Sequence, residues 1–325
     1  MLFRSHDEHI GALTMQGGMI DTGTGTLTLG GNVTTVGDAN TATINGNLSL
    51  GGASRIFNIS SGTASPDLRI NAVLSSGTTI PFTAGFTKTG PGTLSLAGTN
   101  TYNGVTSVNE GQVTVLNDRA LGATANPLGV AAGTVVNGNG NVFLSNVQVT
   151  NEDLTINSTG GSQALGASGA SVWTGDILLN ADTRIALSSG SLLLSGALTG
   201  AGGFTKVGSG SLTLGGTNAN TYTGTTIVQD GTLFMDKTVT DGAMSGPLVI
   251  GEDEAARIVG QVGDWYQRVR EAFGDAQPAS ELTENRAVLL TRRGNVLYAH
   301  LQAPVRASAV VLAPIMQQPV RAMLL

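Results

Sequence analysis

Residues 85–116 read GFTKTGPGTLSLAGTNTYNGVTSVNEGQVTVL, and residues 203–235 repeat this text as GFTKVGSGSLTLGGTNANTYTGTTIVQDGTLFM. The two copies begin 118 residues apart, whereas Tyr102 and Tyr222 lie 120 residues apart. We therefore place a two-residue insertion, Ala219-Asn220, in the second copy. An internal repeat of this length indicates an architecture in which similar units stack on one another.

Each copy has the residue pattern of short strands joined by tight turns. Leu94-Ser95-Leu96 and Leu212-Thr213-Leu214 alternate apolar and polar residues, which is typical of a strand with one buried face. Gly90-Pro91-Gly92 and Asn109-Glu110-Gly111 lie between the strands and supply residues that tight turns need. The sequence therefore predicts strand, turn, strand, turn, strand in each copy.

At these residues the chain resembles the autotransporter-associated β-strand repeat of secreted and surface passenger domains of Gram-negative bacteria. The matching text is GFTKTGPGTLSLAGTNTYNGVTSVNEGQVTV in the first copy and GFTKVGSGSLTLGGTNANTYTGTTIVQDGTL in the second. The resemblance implies an all-β fold, a right-handed parallel β-helix over residues 1–250. It also implies a place at the cell surface or outside the cell.

The rest of residues 10–250 has the same pattern of short apolar stretches separated by glycine-rich turns. Many short strands are also typical of a sandwich or an antiparallel barrel, but imperfect self-similar units favour a solenoid. We expect coils of about 22 residues and a rod about 50 Å long. We also expect aligned Asn and Thr side chains to form hydrogen-bonded ladders along the rod, because Asn100/Asn218 and Thr101/Thr221 recur at matched positions. Further strands are predicted at Val135-Val136, Val142–Leu144, Val147–Val149, Leu154–Ile156, Ile177–Leu179, Ile185–Leu187 and Leu192–Leu194.

The composition argues against several classes of function and of structure. Charged residues are 12% of the 325 residues, and residues 1–250 hold 8 basic and 14 acidic side chains without a basic patch, which argues against nucleic-acid binding. Cysteine is absent, so the chain has no disulfide and no cysteine-ligated metal. No apolar run reaches the length of a transmembrane helix, and residues 1–7 do not read as a signal peptide. We expect the chain to be a fragment whose export signal lies elsewhere.

The pattern changes near Gly251, where we place a domain boundary. Apolar residues recur every three or four positions from Ile258 to Phe273, which predicts an amphipathic helix. Strands at Ala287–Leu290 and Val296–Leu301, joined through Gly294, predict a hairpin, and Ala309–Leu312 a further strand.

Residues 251–325 show a second, more limited resemblance, to the end of α-L-fucosidase-family glycoside hydrolases. The matching residues are Val262-Gly263-Asp264-Trp265 and LTRRGNVLYA at 290–299. The resemblance implies a last barrel helix followed by a short β-sandwich, here cut short at Leu325. No catalytic residue is carried over, because the catalytic barrel of that family has no counterpart here.

The titratable residues do not form a recognisable catalytic set. His6 and His9 flank two acidic residues, but their spacing is not that of a zinc-binding helix, and His300 reads as structural. The best carboxylate clusters, Glu152-Asp153 and residues 252–254, read as a solvated turn and as charges at a helix start. We predict no catalytic residue, no metal and no cofactor.

Tyr102 and Tyr222 are the candidate ligand-binding residues. They occupy matched positions beside Asn, Thr and Gly, and exposed aromatic rings at such positions stack on sugars. The alternative is that both rings pack over the neighbouring coil.

The function predicted from the sequence is a non-catalytic structural or adhesive stalk, with glycans or a host or neighbouring cell surface as partners. The alternative is an accessory part of a secreted, fucosidase-like glycan-degrading enzyme, and a third possibility is glycan binding by the rod alone. The sequence does not give the oligomeric state.

Overall fold

A computed structural model of the protein describes residues 6–77, 83–123, 133–158, 163–239, 242–251, 276–279, 288–294 and 296–301. The chain divides into two compact units, Met1–Glu254 and Ala255–Leu325. The predicted helix from Ile258 to Phe273 and the predicted strand Ala309–Leu312 lie outside the described residues.

The described part of the first unit consists of short strands and the turns between them. In chain order they are β1 (Glu8–Ile10), β2 (Leu13–Met15), β3 (Met19–Leu29), β4 (Val33–Thr35), β5 (Ala42–Ser49), β6 (Arg55–Ile59), β7 (Leu68–Ile70), β8 (Val73–Ser75), β9 (Phe86–Thr89), β10 (Thr93–Leu96), β11 (Thr106–Val115), β12 (Thr134–Ser145), β13 (Gln148–Val149), β14 (Leu154–Ile156), β15 (Gln163–Ser168), β16 (Ala170–Trp173), β17 (Ile177–Leu179), β18 (Thr183–Leu187), β19 (Ser191–Leu194), β20 (Leu198–Thr199), β21 (Phe204–Val207), β22 (Ser211–Gly216), β23 (Thr226–Val228), β24 (Thr232–Lys237) and β25 (Leu248–Ile250).

Every described pairing among these strands is parallel, and the pairings form three stacks, here called faces. Face 1 contains β2, β4, β6, β9, the first halves of β11 and β12, β14, β17 and β20. Face 2 contains the first halves of β3 and β5, β7, β10, the second halves of β11 and β12, β15, β18, β21, β23 and β25. Face 3 contains β1, the second halves of β3 and β5, and β8, and later β13, β16, β19, β22 and β24.

The chain visits faces 1, 2 and 3 in turn, so each circuit is one coil of a parallel β-solenoid with about ten coils. A coil takes from 19 residues (Thr93 to Gln112) to 31 residues (Arg55 to Phe86). At about 4.8 Å per coil the solenoid is about 50 Å long. The prediction of a parallel solenoid is confirmed, and its right-handed sense stays a prediction.

The core consists of side chains that point inward from successive coils and lie over one another. Because strand residues alternate between two sides, every second residue of each strand reaches this interior. On face 1 the inward column is closed to solvent, and its members are Val33, Phe57, Lys88, Val108, Val136, Ile156 and Leu179. The alternating Leu and Val pattern of the sequence therefore marks the inward positions.

The two copies of the repeat lie on different faces. In the first copy β9 lies on face 1 and β10 on face 2, whereas the equivalent β21 and β22 lie on faces 2 and 3. From β9 the chain completes five coils to β20 and moves one face further to reach β21. The second copy is thus rotated by one third of a coil relative to the first.

The described part of the second unit is an antiparallel sheet of three strands, β26 (Gln277–Pro278), β27 (Val288–Arg293) and β28 (Val296–Leu301). Strands β27 and β28 form a hairpin in which Arg293 pairs with Val296, and Gly294 between them has a φ of 57°. The predicted hairpin is confirmed, with its first strand extended to Arg293. A β-sandwich stays a prediction.

Candidate interaction surface

The two tyrosines predicted to stack on sugars lie in the interior of the solenoid. Both side chains are 0% exposed, and the hydroxyl of each lies 2.6 Å from a threonine hydroxyl, Thr106 for Tyr102 and Thr226 for Tyr222. The ring of Tyr102 packs edge-on against Phe86 with centroids 5.6 Å apart. A sugar stacks on a ring face that solvent reaches, and neither ring has one. The burial of both rings therefore does not fit the sugar-stacking interpretation. It agrees with the alternative, in which the rings pack over the neighbouring coil.

An asparagine two residues before each tyrosine joins three successive coils. Asn100 Oδ1 accepts a hydrogen bond from the main-chain N–H of Leu74 at 2.8 Å, and Asn100 Nδ2 donates to the carbonyl of Ala120 at 2.6 Å. Asn220 makes the same pair of bonds, to Leu198 N–H and Ala243 O, at 2.8 and 2.7 Å.

These contacts correct the alignment of the two copies. Asn100 matches Asn220 in its bonds, not Asn218, so the two inserted residues are Asn218-Ala219. Asn100 and Asn220 bond to main-chain groups of the adjacent coils, so these two asparagines do not take part in a side-chain ladder. Sequence comparison alone missed this because the second copy has two asparagines, Asn218 and Asn220, either of which can be aligned with Asn100.

An asparagine ladder does exist, at the corner where face 1 turns into face 2. Asn137 Nδ2 donates to Asn109 Oδ1 at 2.9 Å, Asn157 Nδ2 to Asn137 Oδ1 at 2.9 Å, and Asn180 Nδ2 to Asn157 Oδ1 at 2.7 Å. Each of the four follows the last inward residue of a face 1 strand, and all are exposed or half-buried. This row of bonded amides is a polar surface feature that runs along the solenoid.

Several carboxylates cap the main chain of the next coil. Asp153 Oδ1 accepts from Asp176 N–H at 3.2 Å, and Asp176 Oδ1 accepts in turn from Ala197 N–H at 2.7 Å. Asp182 Oδ1 accepts from Gly203 N–H at 2.7 Å. Asp176 and Asp182 therefore have main-chain partners.

Glu152 differs from these aspartates because its carboxyl group is buried. The side chain is 3% exposed, and Thr134 Oγ1 donates to Glu152 Oε1 at 2.7 Å. Burial raises the pKa of Glu152 to about 8; the threonine hydrogen bond opposes the shift, and the neighbouring Asp153 adds to it. The prediction that Glu152 lies in a solvated turn is wrong, since its side chain points into the solenoid.

Exposed apolar side chains concentrate in the last described coil. Met235 pairs with Leu214 and Ile250 with Val228, so both occupy inward register positions. Met235 is nevertheless 57% exposed and Ile250 40%, whereas Leu214 is fully buried. Phe234, on the outward side of β24, is 52% exposed. Half of the exposed large apolar side chains among the described residues lie in residues 234–250.

The described residues contain no group of three or more His, Cys, Asp or Glu side chains that could hold a metal ion. The predicted acidic start of the helix, residues 252–254, lies outside the described part of the chain. His300 lies in β28 opposite Leu289. Within the described ranges no helix has the length and hydropathy needed to cross a membrane.

Comparison with known proteins gives the repeats a name. The family described as Passenger-associated-transport-repeat matches residues 86–115 and 204–233. The solenoid carries two passenger-associated transport repeats. Their matched ranges begin at β9 and β21, the strands that open the two copies.

The chain is also similar to the Adhesin BmaC autotransporter of Brucella suis biovar 1 (strain 1330), with 34% identity over 244 residues. The match covers 73% of this chain and 6% of the relative, so the chain spans a small part of that protein's length. No solved structure matched the chain. The resemblance to α-L-fucosidases is supported by neither the family match nor the relative.

Proposed function

We propose that this chain is an adhesive segment of an autotransporter-like passenger, located at the cell surface or outside the cell. The observation that carries the proposal is that both passenger-associated repeats are built into one parallel solenoid of about ten coils, over a sequence similar to an autotransporter adhesin. The proposed mechanism is physical. A rod whose main-chain groups pair between coils presents fixed rows of outward side chains to a partner surface.

The outward side chains support binding through many small contacts. The corner rows of the solenoid carry hydrogen-bonding amides, and its last described coil carries exposed apolar groups. Residues 1–250 have a net charge of −6, which disfavours anionic partners such as nucleic acid. We propose a host or neighbouring cell surface as the partner, with glycans as one class of ligand on it.

The test is retention of coated beads on a confluent epithelial monolayer under flow. Beads carrying the purified chain are compared with beads carrying a Phe86→Asp/Phe204→Asp variant, because a buried carboxylate at these closed positions prevents coil formation. We expect retention above that of uncoated beads for the folded chain and its loss for the variant. Equal retention of the chain and uncoated beads would contradict an adhesive role.

A further inference from the structure

Two of the three lysines of this chain lie at inward, fully closed positions of the core, one in each repeat copy. Lys88 follows Phe57 and precedes Val108 in the face 1 column, and Lys206 lies between Ile185 and Val228 on face 2. Both are 0% exposed. A buried ammonium group is expensive unless its hydrogens are bonded, so the partners of each Nζ decide what the lysine does.

Main-chain carbonyl groups surround the Nζ of Lys88. It donates to the carbonyls of Thr89 at 3.0 Å, Gly90 at 2.6 Å and Glu110 at 3.0 Å. The first two belong to the coil of Lys88, and the third to the following coil. Three acceptors match the three hydrogens of a primary ammonium group.

The second copy repeats two of these three contacts on another face. Lys206 Nζ donates to the carbonyl of Gly208 in its own coil at 2.6 Å and to that of Asp230 in the next coil at 2.9 Å. Gly208 and Asp230 are the counterparts of Gly90 and Glu110. Because the same contacts form on two different faces, they come from the repeat itself and not from its surroundings.

A glycine makes room for each ammonium group. Gly111 and Gly231 directly follow Glu110 and Asp230, the residues of the next coil whose carbonyls accept from Nζ, and their φ values are 69° and 72°. A Cβ atom at Gly111 would lie 2.8 Å from Lys88 Nζ, and one at Gly231 would lie 2.6 Å from Lys206 Nζ. The text FTKxGxG, followed by an acidic residue and glycine, therefore encodes one site.

We propose that each repeat copy contains a binding site for a primary ammonium group, built from main-chain carbonyls of two successive coils. Lys88 and Lys206 are its resident ligands and hold those coils together. The hydrogen bonds are charge-assisted and therefore stronger than neutral ones. A quaternary ammonium has no hydrogen to donate, and a planar guanidinium has the wrong shape for this site.

The site is tested by emptying it and refilling it. In the full chain, Lys206→Ala leaves the carbonyls and removes the side chain, and n-propylammonium chloride replaces what was lost. We expect Lys206→Ala to lower the melting temperature by several degrees and n-propylammonium to restore part of the loss in a saturable way. Tetramethylammonium chloride at equal ionic strength should restore none. If the variant does not fold, the same two salts are compared on its refolding yield.

Two further variants separate the ammonium site from simple packing. Lys206→Met fills the channel without a charge, so it should lose stability and show no response to n-propylammonium. Lys237→Met is the matched control, because Lys237 is half-buried and donates to one carbonyl, that of Gly196 at 2.8 Å. Its melting temperature should change little. Full stability of Lys206→Met, or equal effects of the two salts on Lys206→Ala, would overturn the proposal.

The pH dependence of Lys88 measures how far the three carbonyls offset the cost of burying its charge. Burial costs the ammonium form more than these bonds return, so its pKa is lowered. Burial lowers the pKa of Lys88 to about 8, against the opposing effect of the Glu110 and Asp67 carboxylates. Above pH 8 the folded chain loses this proton while the unfolded chain keeps it up to its ordinary value of 10.5, so the free energy of unfolding rises with pH between these values. Lys88→Met should remove this rise. An unchanged profile would show that Nζ does not occupy the site in the folded chain.

Discussion

The hydroxyl of Tyr222 and that of Thr226 form an isolated polar pair inside the apolar interior, 2.6 Å apart. Tyr222→Phe keeps the ring and leaves the threonine hydroxyl without this partner, so we expect it to lower the free energy of unfolding by about 1 kcal/mol. Tyr222→Ala empties a large core site and should lower it by about 3–5 kcal/mol. Urea denaturation of the purified variants measures both.

A double variant tests the pairing itself. Thr226→Val removes the other hydroxyl, and Tyr222→Phe/Thr226→Val should lose less stability than the two single changes added together, because no unpaired buried hydroxyl remains. Strict additivity would show that the two hydroxyls act independently. Bead retention should not distinguish folded Tyr222→Phe from the parent chain, since the ring is closed to solvent.

Glu152 makes the stability of the solenoid depend on pH. Its folded pKa of about 8 lies above its ordinary value of 4.5, so the folded chain holds a proton that the unfolded chain has released. The stabilisation is fully present below pH 4.5 and is lost as the pH rises to about 8. Glu152→Gln has no proton to lose, and we expect its urea midpoint to fall less between pH 5 and pH 8.5.

The matched control is Glu8→Gln, which changes an exposed glutamate in β1. Its midpoint should follow that of the parent chain over the same pH range. The assignment to Glu152 fails if Glu152→Gln retains the whole slope of the parent chain.

At the scale of elements, the asparagine ladder joins four consecutive coils. Asn137 both donates to Asn109 and accepts from Asn157, whereas Asn180 makes one ladder bond, to Asn157. Because each lost hydrogen bond lowers stability by about 1 kcal/mol, we expect Asn137→Ala to be more destabilising than Asn180→Ala by about that amount. Melting curves of the two variants measure the difference, and equal losses would mean that the ladder bonds contribute nothing.

The ladder also shows where prediction from the sequence ends. Alternating residues such as Leu94-Ser95-Leu96 and Leu212-Thr213-Leu214 predicted strands that the structure confirms, because inward alternation is a local property of the chain. The ladder depends instead on which asparagines meet after circuits of 28, 20 and 23 residues. These lengths are set by the loops, and no local pattern gives them.

Two strands of the solenoid were not predicted because they are rich in small residues. Gln163–Ser168 and Ala170–Trp173 form β15 and β16, but Gly and Ala carry little of the β-branched signal by which strands are predicted. The interior placement of Tyr102 and Tyr222 was equally hidden, since an alternation of neighbours does not say whether an aromatic ring between two turns points inward. In contrast, the repeated FTK text corresponds to matching contacts, since Lys88 and Lys206 bond to equivalent carbonyls in the two copies.

At the scale of the whole solenoid, each coil contacts its two neighbours. A destabilising substitution should therefore affect only the coils close to it. Leu48 is fully buried in β5 between β3 and β8, and Leu194 is fully buried in β19 between β16 and β22. Truncation of either leucine to alanine removes about 2–5 kcal/mol of packing at its own site. Coupling to remote coils would have to pass through every coil between them.

Hydrogen exchange followed by mass spectrometry distinguishes local from global effects. We expect Leu48→Ala to speed exchange in peptides that cover β3, β5 and β8, and to leave β19 and β22 as in the parent chain. Leu194→Ala should give the reverse pattern, which makes each variant the control for the other. Uniformly faster exchange in both variants would instead show one cooperative unit, in which distant coils stabilise each other.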